Sequence, residues 1–435
     1  MIHHTVLTED DLAAVDRLLA DADAAQTSSY PGDRTDRQPV HTVYVPADRF
    51  HPRLTQEWSA AAVAALVKDA PRAQDLAAAT GLHVDEVAAV WARMAAKLES
   101  EPIEDLRVDL EDGYGNRHDE EEDRHAIAAG EAVAAAVKAG SAPPFLGVRF
   151  KSLEGGTRRR GLRSLDLVLG AMLADAPLPD GWVVTLPKVT SVSQVSAFVD
   201  VCGCLERAYG LDDGALGFEI QVETPQAILM SDGTAGVASM VHAAEGRCTG
   251  LHFGTYDYTA ALGISGGYQA MDHSSADHAK SIMQLAAAGT GVRISDGSTN
   301  IIPVGDREEV HSAWALHTRL VRRSLERGFY QGWDLHPAQL PTPFRHDLHV
   351  LPRRSGTNRR APGRIPERGR GRRAGRTGHR PGTGRIPDAR SALRRRVDWR
   401  GHSTDRCLVG DGGEVGRSAS GLTVAQSCDF VSGGP

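Results

Sequence analysis

Short runs of apolar and β-branched residues alternate along most of this chain with longer Ala- and Leu-rich stretches whose apolar positions recur at helical spacing. The candidate strands are His41–Pro46, Leu106–Leu110, Phe145–Phe150, Trp182–Leu186, Gly217–Val222, Gly250–Phe253, Asn300–Val304 and Gly328–Trp333. Between them, Ala60–Asp69, Val84–Leu98, Ala126–Ala139, Val192–Ala208 and Trp314–Arg327 carry helical spacing. Strand followed by helix predicts a parallel sheet, and eight strands is the number that closes a (β/α)8 TIM barrel, an α/β fold. The stretch from Phe50 to Glu104 is longer than one crossover needs and holds two candidate helices, so the first unit carries an insertion.

Residues 1–39 are read as an N-terminal helical extension. Thr8 with Asp11 has the spacing of a capping box, opening an acidic helix with Leu12, Val15 and Leu18 on one face. The barrel domain is placed at 40–342. Residues 343–435 form an Arg/Gly/Pro-rich tail, which is expected to be irregular and disordered. From Phe344 onward there are twenty Arg and no Lys against eight Asp and Glu, a surplus of +12 in a chain whose net charge is −7. Such a segment offers too little apolar surface to offset its ordering entropy. A nucleic-acid-binding tail would mix Lys with Arg, whereas arginine-only text with many Gly and Pro is what a GC-rich gene yields out of frame. A frameshifted or disordered tail is therefore preferred, with no nucleic acid as partner.

Composition narrows the class further. With 41% hydrophobic and 24% charged residues, the chain is that of an ordinary soluble enzyme. No apolar run approaches the ~18 residues of a membrane span, and the first residues lack the basic and apolar regions of a signal peptide. Five cysteines without framework spacing fit a reducing cytoplasm. Cys202 and Cys204 lie in a helical stretch and are read as buried structural thiols. The histidines His41, His252, His273, His278 and His336 show no zinc-binding spacing.

In a parallel barrel, polar residues just past each strand's carboxyl end converge on one mouth. Asp109, Glu111 and Asp112 end the second candidate strand, Arg149 and Lys151 the third, and Lys188 follows the fourth. Glu223 follows the fifth, Asp257 the sixth and His336 the eighth. One such carboxylate is more often a helix cap than a ligand, but repeated strand ends carrying both signs of charge are not explained by capping. Glu223 and Asp257 sit one βα unit apart, and two carboxylates suit Mg²⁺, which keeps several waters and takes one or two protein oxygens. Arg149 offers a planar fork of donors to a carboxylate or enolate oxygen. The backbone at Gly254 and Thr255, at a helix start, is a candidate anion site. Arg158, Arg159, Arg160 and Arg163 suit either a phosphate- or CoA-binding loop or a solvated loop ahead of a helix, the latter preferred.

These segments carry a resemblance. VYVPADR at Val43–Arg49, DLEDGYG at Asp109–Gly115, VRF at Val148–Phe150 and LPKV at Leu186–Val189 resemble motifs of the citrate lyase β-subunit and HpcH/HpaI aldolase superfamily. VETPQAI at Val222–Ile228, FGTYDYTAALG at Phe253–Gly263 and LHPAQ at Leu335–Gln339 continue that series in the same order. DGYG, FKSLEGGTRRRGLRSLDL and SDGSTNIIPVG are similar to an aldolase-like branch. The resemblance implies a magnesium- or manganese-dependent carbon–carbon lyase acting on a 2-oxo acid, a hydroxy acid or its CoA thioester through a metal-stabilised enolate. It implies Glu223 and Asp257 as metal ligands, Arg149 as the substrate grip, and Glu111 and Asp112 as residues shaping the site, with Lys188 added as a catalytic candidate. Gly254 and Thr255 remain substrate-binding candidates, and a homo-oligomer is expected. Thioester hydrolysis at the same site, or a barrel retained as a binding scaffold, are the alternatives. Tyr258 stands where the superfamily has Leu, and the His/Asp dyad that HpcH/HpaI aldolases use as general base is missing.

Overall fold

Where the chain turns apolar and β-branched it enters a strand, with one exception among eight. A computed structural model describes residues 5–342. Its strands are β1 (His41–Pro46), β2 (Asp105–Asp109), β3 (Phe145–Arg149), β4 (Trp182–Leu186), β5 (Phe218–Val222), β6 (Cys248–Phe253), β7 (Arg293–Ser295) and β8 (Gly332–Asp334). Every ladder is parallel, in the order β7-β6-β5-β4-β3-β2-β1-β8. A parallel bridge between Ser295 and Gln331 joins the two ends of that row, so the sheet closes into a (β/α)8 TIM barrel.

The exception is the seventh strand, which was expected at Asn300–Val304 but lies at Arg293–Ser295. Residues 300–304 are a loop in which Ile301 is 50% and Val304 54% exposed. Pro303 removes a ladder donor there. The eighth strand starts later than Gly328, because Gly328 has φ 86° and ends the preceding helix.

The helices are α1 (Glu9–Ser29), α2 (Leu54–Asp69), α3 (Ala73–Thr80), α4 (Val84–Ser100), α5 (Asp119–Lys138), α6 (Arg158–Leu173), α7 (Val192–Tyr209), α8 (Pro225–Ile228), α9 (Gly236–Ala243), α10 (Thr255–Ala261), α11 (Ser274–Ala287) and α12 (Arg307–Glu326). The insertion after β1 holds three helices rather than two. The extra one, α3, is a single short segment between Pro71 and the left-handed Gly81. Arg158–Arg160 open α6 and form no loop of their own. Arg160 and Arg163 pair with Asp123 of α5, Arg163 at 2.6 Å. The α5–α6 contact is close because Gly130 presents only hydrogen toward the Val168 carbonyl, where a Cβ would collide.

Two apolar clusters result. The larger fills the space between the strands and their covering helices, with Phe150, Phe198 and Phe218 in ring contact. The smaller joins α2, α3, α4 and α12 around Leu76, Met94, Leu98 and Trp314, and Leu340 completes it. The capping box at Thr8 forms as expected, Asp11 N–H donating to Thr8 Oγ1 and Thr8 N–H to Asp11 Oδ2. No residue of α1 is buried, so Leu12, Val15 and Leu18 stay exposed. Cys202 is buried but Cys204 is exposed, which corrects half of the expectation for that pair. Among the described residues no helix is long and apolar enough to cross a membrane. The reading of the tail as disordered or frameshifted lies outside the described residues.

The barrel's interior is polar at mid-depth. Arg107 of β2 is fully buried and bonds Asp105 and, at 2.8 Å, Glu219 Oε2 of β5. His252 Nε2 lies 2.9 Å from the same Glu219 oxygen, and the Trp333 indole N–H donates to His252 Nδ1. These groups satisfy one another and form a rigid floor beneath the mouth.

Candidate active site at the barrel mouth

Seven of the charged candidates meet at the carboxyl ends of five neighbouring strands. β2 ends on Asp109 and runs into a turn carrying Glu111 and Asp112, β3 ends on Arg149, and Lys188 follows β4. Glu223 follows β5, and α10 after β6 carries Asp257. Glu111, Arg149 and Glu223 are buried, while Asp112 and Asp257 stay about half exposed at the rim.

Asp109 organises the β2–β3 side. Its carboxylate accepts two parallel bonds from Arg149, from Nε to Oδ1 and from Nη2 to Oδ2, each 2.7 Å. It also accepts the backbone N–H groups of Glu111 and Gly113, at 3.0 and 2.8 Å. The guanidinium edge expected to grip substrate is therefore already engaged. What Arg149 turns toward the site is Nη1, 3.3 Å from Gln221 Oε1 and 3.7 Å from Glu111 Oε2, with Tyr44 stacked on the guanidinium at 4.6 Å. Lys151 fastens the same turn from below, donating to the Leu110 carbonyl at 2.8 Å and the Gly115 carbonyl at 3.2 Å while pairing with Glu122.

At the centre is Lys188. Its Nζ lies 2.8 Å from Asp112, 3.1 Å from Glu111, 3.2 Å from Asp257 and 3.9 Å from Glu223. Its backbone is left-handed, with φ 51°, and its N–H donates to Glu223 Oε1 at 2.8 Å. Burial disfavours the Lys188 ammonium, but the four carboxylates outweigh it and lift the group well above the ordinary lysine value. Burial likewise pushes Glu223 well above the usual carboxylate range, with Asp257 and Glu111 adding to the rise. The Glu111 carboxyl is pushed up to about 7 by burial, with Asp112 adding to the rise and Arg149 and Lys188 opposing it. Burial also works against ionised Asp112, yet Arg149 and Lys188 hold it below the usual range. Burial is the largest influence on each of these groups, and the crowding of four carboxylates around one ammonium acts beside it.

Gly254 plays a different part from the one expected. The Gly254 N–H continues the strand ladder to the Val222 carbonyl at 3.0 Å and is not turned to an anion. Gly254 matters because a Cβ there would lie 2.5 Å from Glu223 Cβ and Oε2. Thr255 is buried, and its hydroxyl has no hydrogen-bond partner among the described residues. Sequence reasoning also passed over Gln221, which joins Arg149 to Glu223 through its amide. The signal was available: in Phe218–Val222 the alternation puts Glu219 and Gln221 on the face that Glu223 continues.

The donor set fits a hard divalent cation. Two neighbouring carboxylates with open positions match Mg²⁺ or Mn²⁺, which are satisfied by one or two protein oxygens and water. Among the described residues no group of three or more His, Cys, Asp or Glu side chains is arranged to hold a metal ion, so a cation here would rest on two protein carboxylates and water.

The sequence model of one family, described as "Domain of unknown function (DUF6986)", matches residues 19–350. No curated protein matches. Solved structures similar to this chain include Haloferax volcanii malate synthase in a magnesium/glyoxylate complex, at 16% identity over 74% of this chain and 79% of that one, with a TM-score of 0.49. Another is the protein CitE of Mycobacterium tuberculosis in complex with magnesium and acetoacetate, at 18% identity over 73% of this chain and 92% of that one, TM-score 0.42.

Proposed function

We propose that this chain, which belongs to the DUF6986 family, is a divalent-cation-dependent enzyme that makes or breaks a carbon–carbon bond in a 2-oxo acid, a hydroxy acid or its CoA thioester. The observation that supports this reading best is the convergence of Glu111, Asp112, Glu223 and Asp257 on one ammonium at the barrel mouth. Such a surplus of negative charge is costly unless a cation balances it. Glu223 and Asp257 would hold Mg²⁺ or Mn²⁺. When bound there, the ion supplies Lewis-acid polarisation of a keto or carboxylate oxygen.

The chain's own groups divide the remaining work. Arg149 Nη1, held in place by Asp109 and Tyr44, presents a fixed positive donor to a substrate oxygen. The buried Thr255 hydroxyl, which lies against Gly297 and has no hydrogen-bond partner among the described residues, supplies a further polar group after β6. Glu111 answers for the missing His/Asp dyad. Near neutral pH its carboxyl divides between acid and base, the condition under which one group both takes and returns a proton.

The test is a screen of 4-hydroxy-2-oxo acids and β-hydroxyacyl-CoA thioesters with and without Mg²⁺, using the wild type and Glu223→Gln. Cation-dependent cleavage or condensation that disappears in E223Q is expected. Release of free CoA thiol without a carbon–carbon product would move the assignment to thioester hydrolysis at the same site. No cation-dependent turnover of any substrate would overturn the reading.

A further inference from the structure

We infer that Lys188 is a tethered cation that competes with the divalent ion for Glu223 and Asp257, and that Glu111 and Asp112 are the seat to which its ammonium withdraws. This rests on the reading of Glu223 and Asp257 as the cation site. Lys188 touches Glu223 twice, through its backbone N–H at 2.8 Å and through Nζ at 3.9 Å. Both contacts come from a residue whose own backbone is left-handed, with φ 51°. An L-residue adopts that conformation at a functional site only when the surroundings impose it.

The ammonium spans the two pairs of carboxylates. It is 2.8 and 3.1 Å from Asp112 and Glu111, and 3.2 and 3.9 Å from Asp257 and Glu223. An ion bonded to both Glu223 and Asp257 at ~2.1 Å per oxygen would lie beside Nζ, and two positive charges repel strongly at such separations. The nearer pair offers the ammonium a place to remain without leaving the site. A flexible four-carbon stem allows the movement, which a rigid guanidinium would resist. Glu111 and Asp112 thus need no metal-binding role to explain their presence. They hold the lysine, and Lys188 sets how tightly the cation binds.

Binding of Mn²⁺ to the full chain, followed by the spin-resonance signal of the free ion, tests this. Lys188→Met and Lys188→Gly are expected to bind Mn²⁺ at least about tenfold tighter than the wild type. The glycine variant accepts the left-handed backbone, so it covers the case in which methionine disturbs the turn. The ratio should persist at high salt, since direct occupancy is not screened as a distant charge is. Glu223→Gln should abolish binding in every background. Unchanged or weaker binding in both Lys188 variants, or a ratio that vanishes with salt, would remove the competition while E223Q sensitivity kept the cation site standing. Absence of binding in the wild type and both lysine variants would remove the cation site itself.

Discussion

Asp109 and Arg149 form a two-bonded ion pair, each bond 2.7 Å, buried at the adjoining ends of β2 and β3. The pair sets the direction in which Arg149 faces the mouth, and through Asp109 it also holds the turn bearing Glu111. Replacing Arg149 with Lys keeps the charge and loses one of the two bonds and the stack on Tyr44. Turnover should fall roughly a hundredfold while Mn²⁺ affinity changes by less than about threefold. Equal turnover in the two proteins would remove Arg149 from the chemistry. Asp109→Asn leaves a buried guanidinium without its counter-charge and should cost about 3–5 kcal/mol in denaturant unfolding.

Glu111 makes stability depend on pH in a defined sense. Its folded-state value of about 7 lies above the ordinary 4.5, so between these values the folded chain keeps a proton that the unfolded chain releases. Stability of the cation-free protein should therefore fall as pH rises from about 4.5 to 7, by on the order of 2–3 kcal/mol from this group. Glu111→Gln should make that slope shallower, leaving the part that Glu223, also raised, contributes in the same sense. Parallel slopes for the two proteins in urea titrations across this range would show that Glu111 titrates elsewhere.

Gly254 gives Glu223 its room. In Gly254→Ala the added methyl meets the glutamate side chain at 2.5 Å, so the carboxylate must turn away. Overpacking of this kind should lower stability by about 1–3 kcal/mol, and Mn²⁺ binding should weaken together with it. Wild-type melting and wild-type binding in G254A would mean that Glu223 is not oriented by this contact.

Lys151 carries a prediction of its own. Lys151→Met frees the Leu110 and Gly115 carbonyls and leaves Glu122 with Arg160 and the Ser164 hydroxyl. A loss of about 3 kcal/mol is expected, together with faster amide exchange at Glu111–Gly115. Unchanged exchange in that turn would assign its order to Asp109 alone.

Much of this was legible in the chain because a parallel barrel turns a one-dimensional pattern into a place. Charged residues just past apolar runs must meet at the mouth, and Glu111, Asp112, Arg149, Lys188, Glu223 and Asp257 did so. β7 was not legible, since three residues alternating Arg293, Ile294 and Ser295 make no apolar run, while the nearby Ile301–Ile302 does. Partner choice was also hidden. Asp109 was visible as a strand-end acid, but its pairing with Arg149 depends on strand register: the two residues sit opposite each other in the β2–β3 ladder. The left-handed backbone of Lys188 has no sequence signal, because the residues that visit that conformation readily are Gly, Asn and Asp rather than Lys. Gly254 looked like a free anion-binding amide only while its ladder bond to Val222 was unknown.

The closure between β7 and β8 has a mechanical consequence. Seven ladders run for three to five paired residues, but the eighth joint is one bridge, Ser295 to Gln331, extended by the Asp296 N–H on the Gln331 carbonyl at 2.9 Å and the Trp333 N–H on the Gly297 carbonyl at 3.3 Å. Side chains supply what the backbone lacks: Lys280 holds both Asp296 oxygens at 3.0 Å, and the Ser324 hydroxyl donates to Asp296 at 2.6 Å. The barrel is thus a curved sheet fastened by a clasp, and the clasp is made of one lysine, one aspartate and one serine. The seam it closes lies across the ring from the ends of β3 and β4, so its fastening is separate from the groups that hold Arg149 and Lys188.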